Sequence, residues 1–268
     1  MAVITLLTDF GTSDEYVGII KGVIIGIDPG AVIVDLTHRI DPQDTVAAAH
    51  MMRASYRFFP KGSIHLIVVD PGVGSDRLII AAEYDGHIFI APDNGIIPFI
   101  IEDGPAPVSI FSLANESLFL TPVSATFHGR DIFAAAGAFF SSGTPLEKAG
   151  PSVLPEQLKR LSHPAPSVSG NTLQGAIIWL DHFGNIITDI DAQMLNALID
   201  ENPGKRLVFV VGDQRIEGLG AWYGMVEANQ PIALIGSRGF LEIAVNGGHA
   251  ADRFMVRKGD VIRVEVLD

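Results

Sequence analysis

The sequence predicts an α/β chain in two parts: a sandwich-like (Rossmann-like) α/β domain over residues 1–165, then a smaller, mainly-β domain over residues 166–268. Three observations predict it. Short β-branched runs alternate with longer runs of helical period in the first half, prolines with Ser and Gly crowd the middle, and strand-like runs broken by glycines fill the remainder. In order, Val3–Leu7, Tyr16–Ile27, Val32–Leu36, Thr45–Phe58 and Ile64–Val69 read β-α-β-α-β, the pattern of a parallel sheet with helices on both faces. Leu78–Glu83 and His87–Ala91 follow, split by the hairpin-like Tyr84-Asp85-Gly86, then a strand at Val108–Phe111 and an Ala-rich helix over Phe127–Phe140. Prolines 145, 151, 155, 164 and 166 mark a connecting segment around one short helix at Glu156–Leu161, which puts the boundary at about 165. Beyond it, Gly175–Ile190, Arg206–Val211, Pro231–Val245 and Val261–Val266 are strand-like, and only Asp191–Leu198 looks helical.

Composition excludes several classes of function. With 48% hydrophobic and 18% charged residues, the 268-residue chain can bury a core and is not a disordered one. A net charge of −13 repels phosphate backbones and anionic membrane surfaces, so neither nucleic acid nor a membrane is an expected partner. The absence of cysteine removes disulfides, thiolate metal sites and a Cys nucleophile. Apolar stretches such as Val17–Ile27 and Leu66–Val69 fall short of the about 18–20 residues a membrane span needs, and Met1–Leu7 has no basic leader. A cytoplasmic protein without a signal peptide is expected.

In parallel α/β sheets, ligands sit beyond the carboxyl ends of strands. Thr8-Asp9-Phe10-Gly11-Thr12-Ser13-Asp14 follows the first strand there and offers the carboxylates of Asp9 and Asp14, although Asp14 could instead cap the next helix and Asp9 fix the turn. Asp70-Pro71-Gly72-Val73-Gly74-Ser75-Asp76-Arg77 ends the third strand. Its glycines let backbone approach a ligand, and its turn can bring Asp70 and Arg77 together, or it is an ordinary turn with an ion pair. Phe127-His128-Gly129-Arg130-Asp131 opens a helix whose dipole would keep His128 neutral and proton-accepting, unless the ring is merely a cap or a core group. Asp181-His182-Phe183-Gly184-Asn185 offers an acid, an aromatic face and an amide in a strand-turn-strand. Gly236-Ser237-Arg238-Gly239 offers a hydroxyl and free N–H groups for a carboxylate. The histidines lack a metal-binding spacing, so no catalytic metal is expected.

Taken in this order, the five motifs resemble the S-adenosylmethionine hydroxide adenosyltransferases, or S-adenosylmethionine hydrolases, relatives of the fluorinase and chlorinase enzymes; the likeness spans nearly the whole chain. The resemblance implies a β-barrel-like C-terminal domain and a homotrimer with each site between adjacent subunits. It also implies S-adenosyl-L-methionine as substrate, no cofactor, and hydrolysis to adenosine and methionine by attack of water at the ribose C5′. By the same resemblance Asp70, Arg77 and His128 orient and activate the water, and Asp9 binds the ribose hydroxyls. Phe183 packs on the adenine and Asn185 hydrogen-bonds its edge, while Asp14, Asp181 and Ser237, with the backbone N–H of Arg238, take the methionine amine and carboxylate. The fluorinase has a tyrosine at the place of Asp70 and a serine at that of Gly129, which favours water over halide here, and Gln43 replaces an aromatic wall. Two alternatives stay open: a non-catalytic S-adenosylmethionine-binding sensor, and a Ca²⁺-dependent nucleoside hydrolase, which would need a tighter Asp cluster than Asp9 and Asp14 provide.

Overall fold

A computed structural model describes residues 2–102, 104, 106–163 and 165–268; Pro164, one of the linker prolines, lies outside the described residues. The chain divides into two compact units, Met1–Ser162 and His163–Asp268.

In the first unit, β1 (Val3–Thr8), α1 (Tyr16–Ile27), β2 (Val32–Thr37), α2 (Thr45–Ser55) and β3 (Ile64–Val68) form the expected alternation. They are followed by β4 (Ile79–Tyr84), β5 (His87–Pro92), α3 (Ile96–Ile101), β6 (Val108–Ser112) and α4 (Ala135–Ser141). The six-stranded sheet has the order β2-β1-β3-β5-β4-β6. Strands β2, β1, β3 and β5 are parallel, whereas β4 runs antiparallel to both β5 and β6, so the sheet is mixed rather than parallel throughout. The reason is local. Asp85 and Gly86 both take positive φ (48° and 71°), the geometry of a two-residue hairpin loop whose twist matches that of the strands it joins.

Side-chain alternation along the strands separates two cores. Ile4, Leu6 and Leu66 pack with Ile20 and Ile24 of α1 and with Phe133 on one face. Leu7, Ile67 and Val69 pack with Ala48 and Met52 of α2 and with Phe89 on the other. Each such fully buried aliphatic side chain contributes about 1.5–3 kcal/mol.

Three local expectations are corrected and one helix is added. The helix expected over Phe127–Phe140 starts as a π-helical stretch, Gly129–Ala134, before α4. Helix α3 is an element beyond those expected, and its Pro98 sits in the first helical turn, where its missing N–H costs nothing. The helix expected at Glu156–Leu161 is only a 3₁₀ turn, Pro155–Gln157. Asp14 does not cap α1: Glu15 is the N-cap, without a side-chain bond.

The second unit contains β7 (Ser167–Ser169), β8 (Thr172–Leu180), β9 (Ile186–Asp191), α5 (Ala192–Asp200), β10 (Arg206–Val211) and β11 (Gln214–Glu217). It continues with β12 (Leu219–Gly220), β13 (Pro231–Ile235), β14 (Phe240–Val245), α6 (Ala250–Phe254) and β15 (Val261–Leu267). Its nine strands form one barrel-like sheet, β11-β10-β15-β8-β9-β14-β13-β12 with β7 beside β8, and β11 returns to contact β13. Leu173, Ile177, Phe209, Ile243 and Val264 fill its interior. Helix α6 is a second helix that the strand-dominated pattern does not announce.

Candidate active site

Strand β3 delivers Asp70 to the carboxyl edge of the sheet, and the following turn folds back. The Gly72 N–H donates to Asp70 Oδ1 (3.2 Å) and the Ser75 hydroxyl to the Gly72 carbonyl (2.7 Å). Gly74 has φ 78°, and a Cβ there would collide with the Ala125 carbonyl, so glycine is what lets the 124–128 loop close on this turn. That loop is pinned from its other side by the buried Asp131, which accepts the Ser124 N–H (2.8 Å) and holds Arg130 Nε (2.6 Å).

The two segments bring Asp70, Arg77 and His128 together. Arg77 Nε donates to both Asp70 oxygens (2.6 and 2.8 Å), and Arg77 Nη2 contacts Asp70 Oδ2 as well. The side chains of Arg77 and Asp70 are only 6% and 7% exposed, so this is not the exposed ion pair of an ordinary turn. Arg77 Nη2 also lies 3.0 Å from His128 Nδ1. A guanidinium can only donate, so Nδ1 carries the lone pair and the neutral ring keeps its proton on Nε2. The His128 pKa is lowered, first by burial and next by the Arg77 charge, with Asp70 and Asp131 opposing. The ring is thus neutral as expected, but burial and a neighbouring guanidinium account for it.

Asp9 enters the same cleft from the end of β1. Its loop is tied down by the Gly11 N–H bonded to the His38 carbonyl (2.7 Å) and by the Thr8 hydroxyl bonded to His38 Nδ1 (2.9 Å). Asp9 Oδ2 accepts the Gln43 N–H (2.8 Å). Burial raises the Asp9 pKa, the Gln43 N–H lowers it, and the nearby Asp70 charge raises it again. The cleft has a volume of about 340 Å³, and Asp9, Asp70 and His128 line it together with Phe10, Tyr16 and Phe127. The three aromatic residues went unassigned in the sequence; their signal was position, beside Asp9, at the start of α1 and before His128. Asp14 is exposed.

In the second unit the turn between β8 and β9 is built on Asp181. Its Oδ1 accepts the N–H groups of Phe183 and Asn185 (both 2.9 Å), and its Oδ2 accepts Asn185 Nδ2 (3.1 Å). Asn185 is consequently buried, whereas the Phe183 ring is 73% exposed. Ser237 and Arg238 lie in the tight turn joining β13 to β14, closed by the Gly239 N–H on the Gly236 carbonyl (2.9 Å), and the Arg238 guanidinium lies 5.1 Å from the centre of the Trp179 ring. Beneath that turn sits the buried Glu242, which accepts the Tyr223 hydroxyl (2.7 Å). Burial raises the Glu242 pKa and, aided by Glu242, pushes the Tyr223 phenol up to about 12. Glu242 and Tyr223 were not anticipated, since in sequence each lies inside an unremarkable apolar run. Among the described residues no group of three or more His, Asp or Glu is arranged to hold a metal ion.

A mixed sheet that presents a carboxylate–guanidinium–imidazole array at its strand ends, followed by a barrel-like unit with polar turns, describes an enzyme acting on a small polar molecule. Residues 4–150 match the S-adenosylmethionine hydroxide adenosyltransferase N-terminal domain and residues 175–263 its C-terminal domain, and the chain belongs to that family. It is 34% identical to an (R)-S-adenosyl-L-methionine hydrolase of Thermus thermophilus, over 98% of this chain and all of that one. It is 28% identical to a fluorinase of an Actinoplanes species, over 98% and 97% of the two chains. A crystal structure of a conserved protein from Thermotoga maritima superposes with a TM-score of 0.89 at 34% identity, covering 97% of this chain and 99% of that one.

Proposed function

We propose that this protein hydrolyses S-adenosyl-L-methionine to adenosine and L-methionine, and that Asp70, Arg77 and His128 activate the attacking water. The observation that carries the assignment of roles is the Arg77 side chain, clamped by Asp70 and hydrogen-bonded to an unprotonated His128 Nδ1 in the cleft that also holds Asp9.

The substrate's sulfonium leaves as a neutral thioether, so departure needs no acid and only the nucleophile needs help. One guanidinium at about 4 Å in a medium of effective dielectric constant about 20 is worth about 4 kcal/mol, or about three units on a water pKa of about 15.7. Asp70 cancels part of even that, so a standing hydroxide does not form and deprotonation accompanies attack. A water that replaces the direct 3.0 Å contact between Arg77 Nη2 and His128 Nδ1 accepts from Nη2 and donates to Nδ1. As its oxygen bonds to C5′, the C5′–S bond breaks, its electron pair leaves on the methionine sulfur, and the water proton passes to Nδ1 and then to solvent. Asp70 holds the guanidinium in place for this.

Asp9 takes the ribose hydroxyls. Phe183 and Asn185 take the adenine, and Asp14, Asp181, Ser237 and the Arg238 N–H take the methionine end. A homotrimer with each site between adjacent subunits and independence of any cofactor belong to the same proposal and rest on the family likeness, and a cytoplasmic location is proposed with them from the sequence pattern.

The test is incubation of the metal-chelated protein with S-adenosylmethionine in ¹⁸O-labelled water, followed by mass spectrometry of the products. Label in the adenosine 5′-hydroxyl is expected. Free adenine would instead mark cleavage of the N-glycosidic bond, and tight binding without product would mark a sensor.

A further inference from the structure

Three aromatic rings meet at the mouth of the Asp9–His128 cleft. Tyr16 and Phe127 lie 5.1 Å apart in an edge-to-face contact (83°), Phe10 and Phe127 5.9 Å apart at 71°, and Phe10 and Tyr16 5.8 Å apart. All three line the cleft, and Tyr16 is 43% exposed. The cluster already seats one cation: the Arg130 guanidinium lies 5.3 Å from the centre of the Phe127 ring, with its charge offset by Asp131.

We infer that the Phe10–Tyr16–Phe127 cluster recognises the sulfonium of the substrate through cation–π contact and so sets specificity for a sulfonium over a neutral thioether. This rests on the proposed function. A trialkylsulfonium is weakly hydrated, its charge spread over the attached methyl and methylene groups, and it suits an aromatic face as a quaternary ammonium does. Carboxylates such as Asp9 and Asp70 attract any cation, whereas an aromatic face selects one that sheds its water cheaply.

The contact also has a kinetic signature. As the C5′–S bond breaks, the positive charge on sulfur disappears, so the aromatic contact is strongest before the transition state and fades along the reaction. The cluster therefore improves binding of the substrate without accelerating its conversion, and it releases the methionine thioether once formed.

The experiment compares wild type with Tyr16→Leu and Tyr16→Phe, measuring kcat and KM for S-adenosylmethionine and the inhibition constant of the neutral thioether S-adenosylhomocysteine. Tyr16→Leu is expected to raise KM about three- to tenfold with kcat equal or higher, while the inhibition constant moves less than about twofold; Tyr16→Phe restores the wild-type KM. Equal weakening of substrate and thioether, or a fall in kcat with KM unchanged, would overturn the inference, as would no change in any constant. Phe10→Leu gives a second reading of the same ratio if Tyr16→Leu does not fold. Failure of the wild-type protein to form adenosine at all would instead overturn the proposed function, so the two failures are distinguishable.

Discussion

The Asp70–Arg77–His128 corner and the Asp181–Asn185 turn both set a carboxylate against partners in a tight turn, but they use it differently. Asp70 binds another side chain, Arg77, which in turn reaches an imidazole 51 positions further along the sequence. Asp181 directs all three of its hydrogen bonds into its own turn, two to backbone N–H groups and one to the Asn185 amide. A carboxylate that aims a charged side chain fixes where that charge acts on its neighbours. One that shapes backbone builds a rigid platform, here presenting an exposed Phe183 beside a buried Asn185. In the proposed function the first place drives the chemistry and the second holds the ligand, and variants at each place should divide kcat from KM.

The largest effect is expected at the first corner. His128→Ala should lower kcat by about 10²–10⁴ while leaving KM within about threefold, checked by adenosine release at saturating substrate. Unchanged turnover would remove His128 from the reaction. Arg77→Met leaves Asp70 buried without its partner and should cost about 3–5 kcal/mol of folding stability as well as most of the activity, read from urea denaturation and turnover together. Next is the turn. Asp181→Asn keeps an oxygen for the two backbone N–H groups and removes the charge, so KM should rise about tenfold with kcat nearly constant if Asp181 also holds the substrate amine. A KM within twofold of wild type would confine Asp181 to shaping the turn.

The smallest effect is on pH dependence. In the proposed reaction the neutral ring accepts the proton, and burial together with Arg77 lowers its pKa, so kcat should rise with pH through an inflection below the ordinary histidine value of about 6.5 and be flat above it. An inflection at or above that value would show that the ring is not held as the ligand-free geometry indicates. The buried His65 sharpens the contrast. Its pKa is pushed down to about 3 by burial and by His87, and it faces Thr5 rather than a cleft. In the unfolded chain it takes up a proton near pH 6.5, so stability from this group is full above that pH and is lost as pH falls toward 3. Histidines that the sequence presents alike are therefore separated by their surroundings, into one that can titrate against a substrate and one that acid can only unfold.

Much of the fold was readable from the sequence because periodicity and turn residues are local. Strands β1, β2, β3 and β5, helices α1 and α2, the hairpin at Asp85-Gly86 and the Asp181–Asn185 turn all follow from spacing within a few positions. Asp9, Asp70 and His128 stand out in the sequence for the same reason, each at a strand end or a helix start where ligands collect, whereas the roles given to them and to Arg77 come from the family resemblance. Only tertiary structure decided that β6 pairs with β4 at the sheet edge, that Gly74 admits the loop carrying His128, and that Arg77 joins Asp70 to that ring. It alone placed Phe10, Tyr16 and Phe127 around one cleft and set Glu242 under the Gly236–Gly239 turn. The physical reason is range: dihedral preference and hydrophobic alternation act between near neighbours, while burial, pKa and the meeting of side chains depend on what distant segments bring to the same few ångströms.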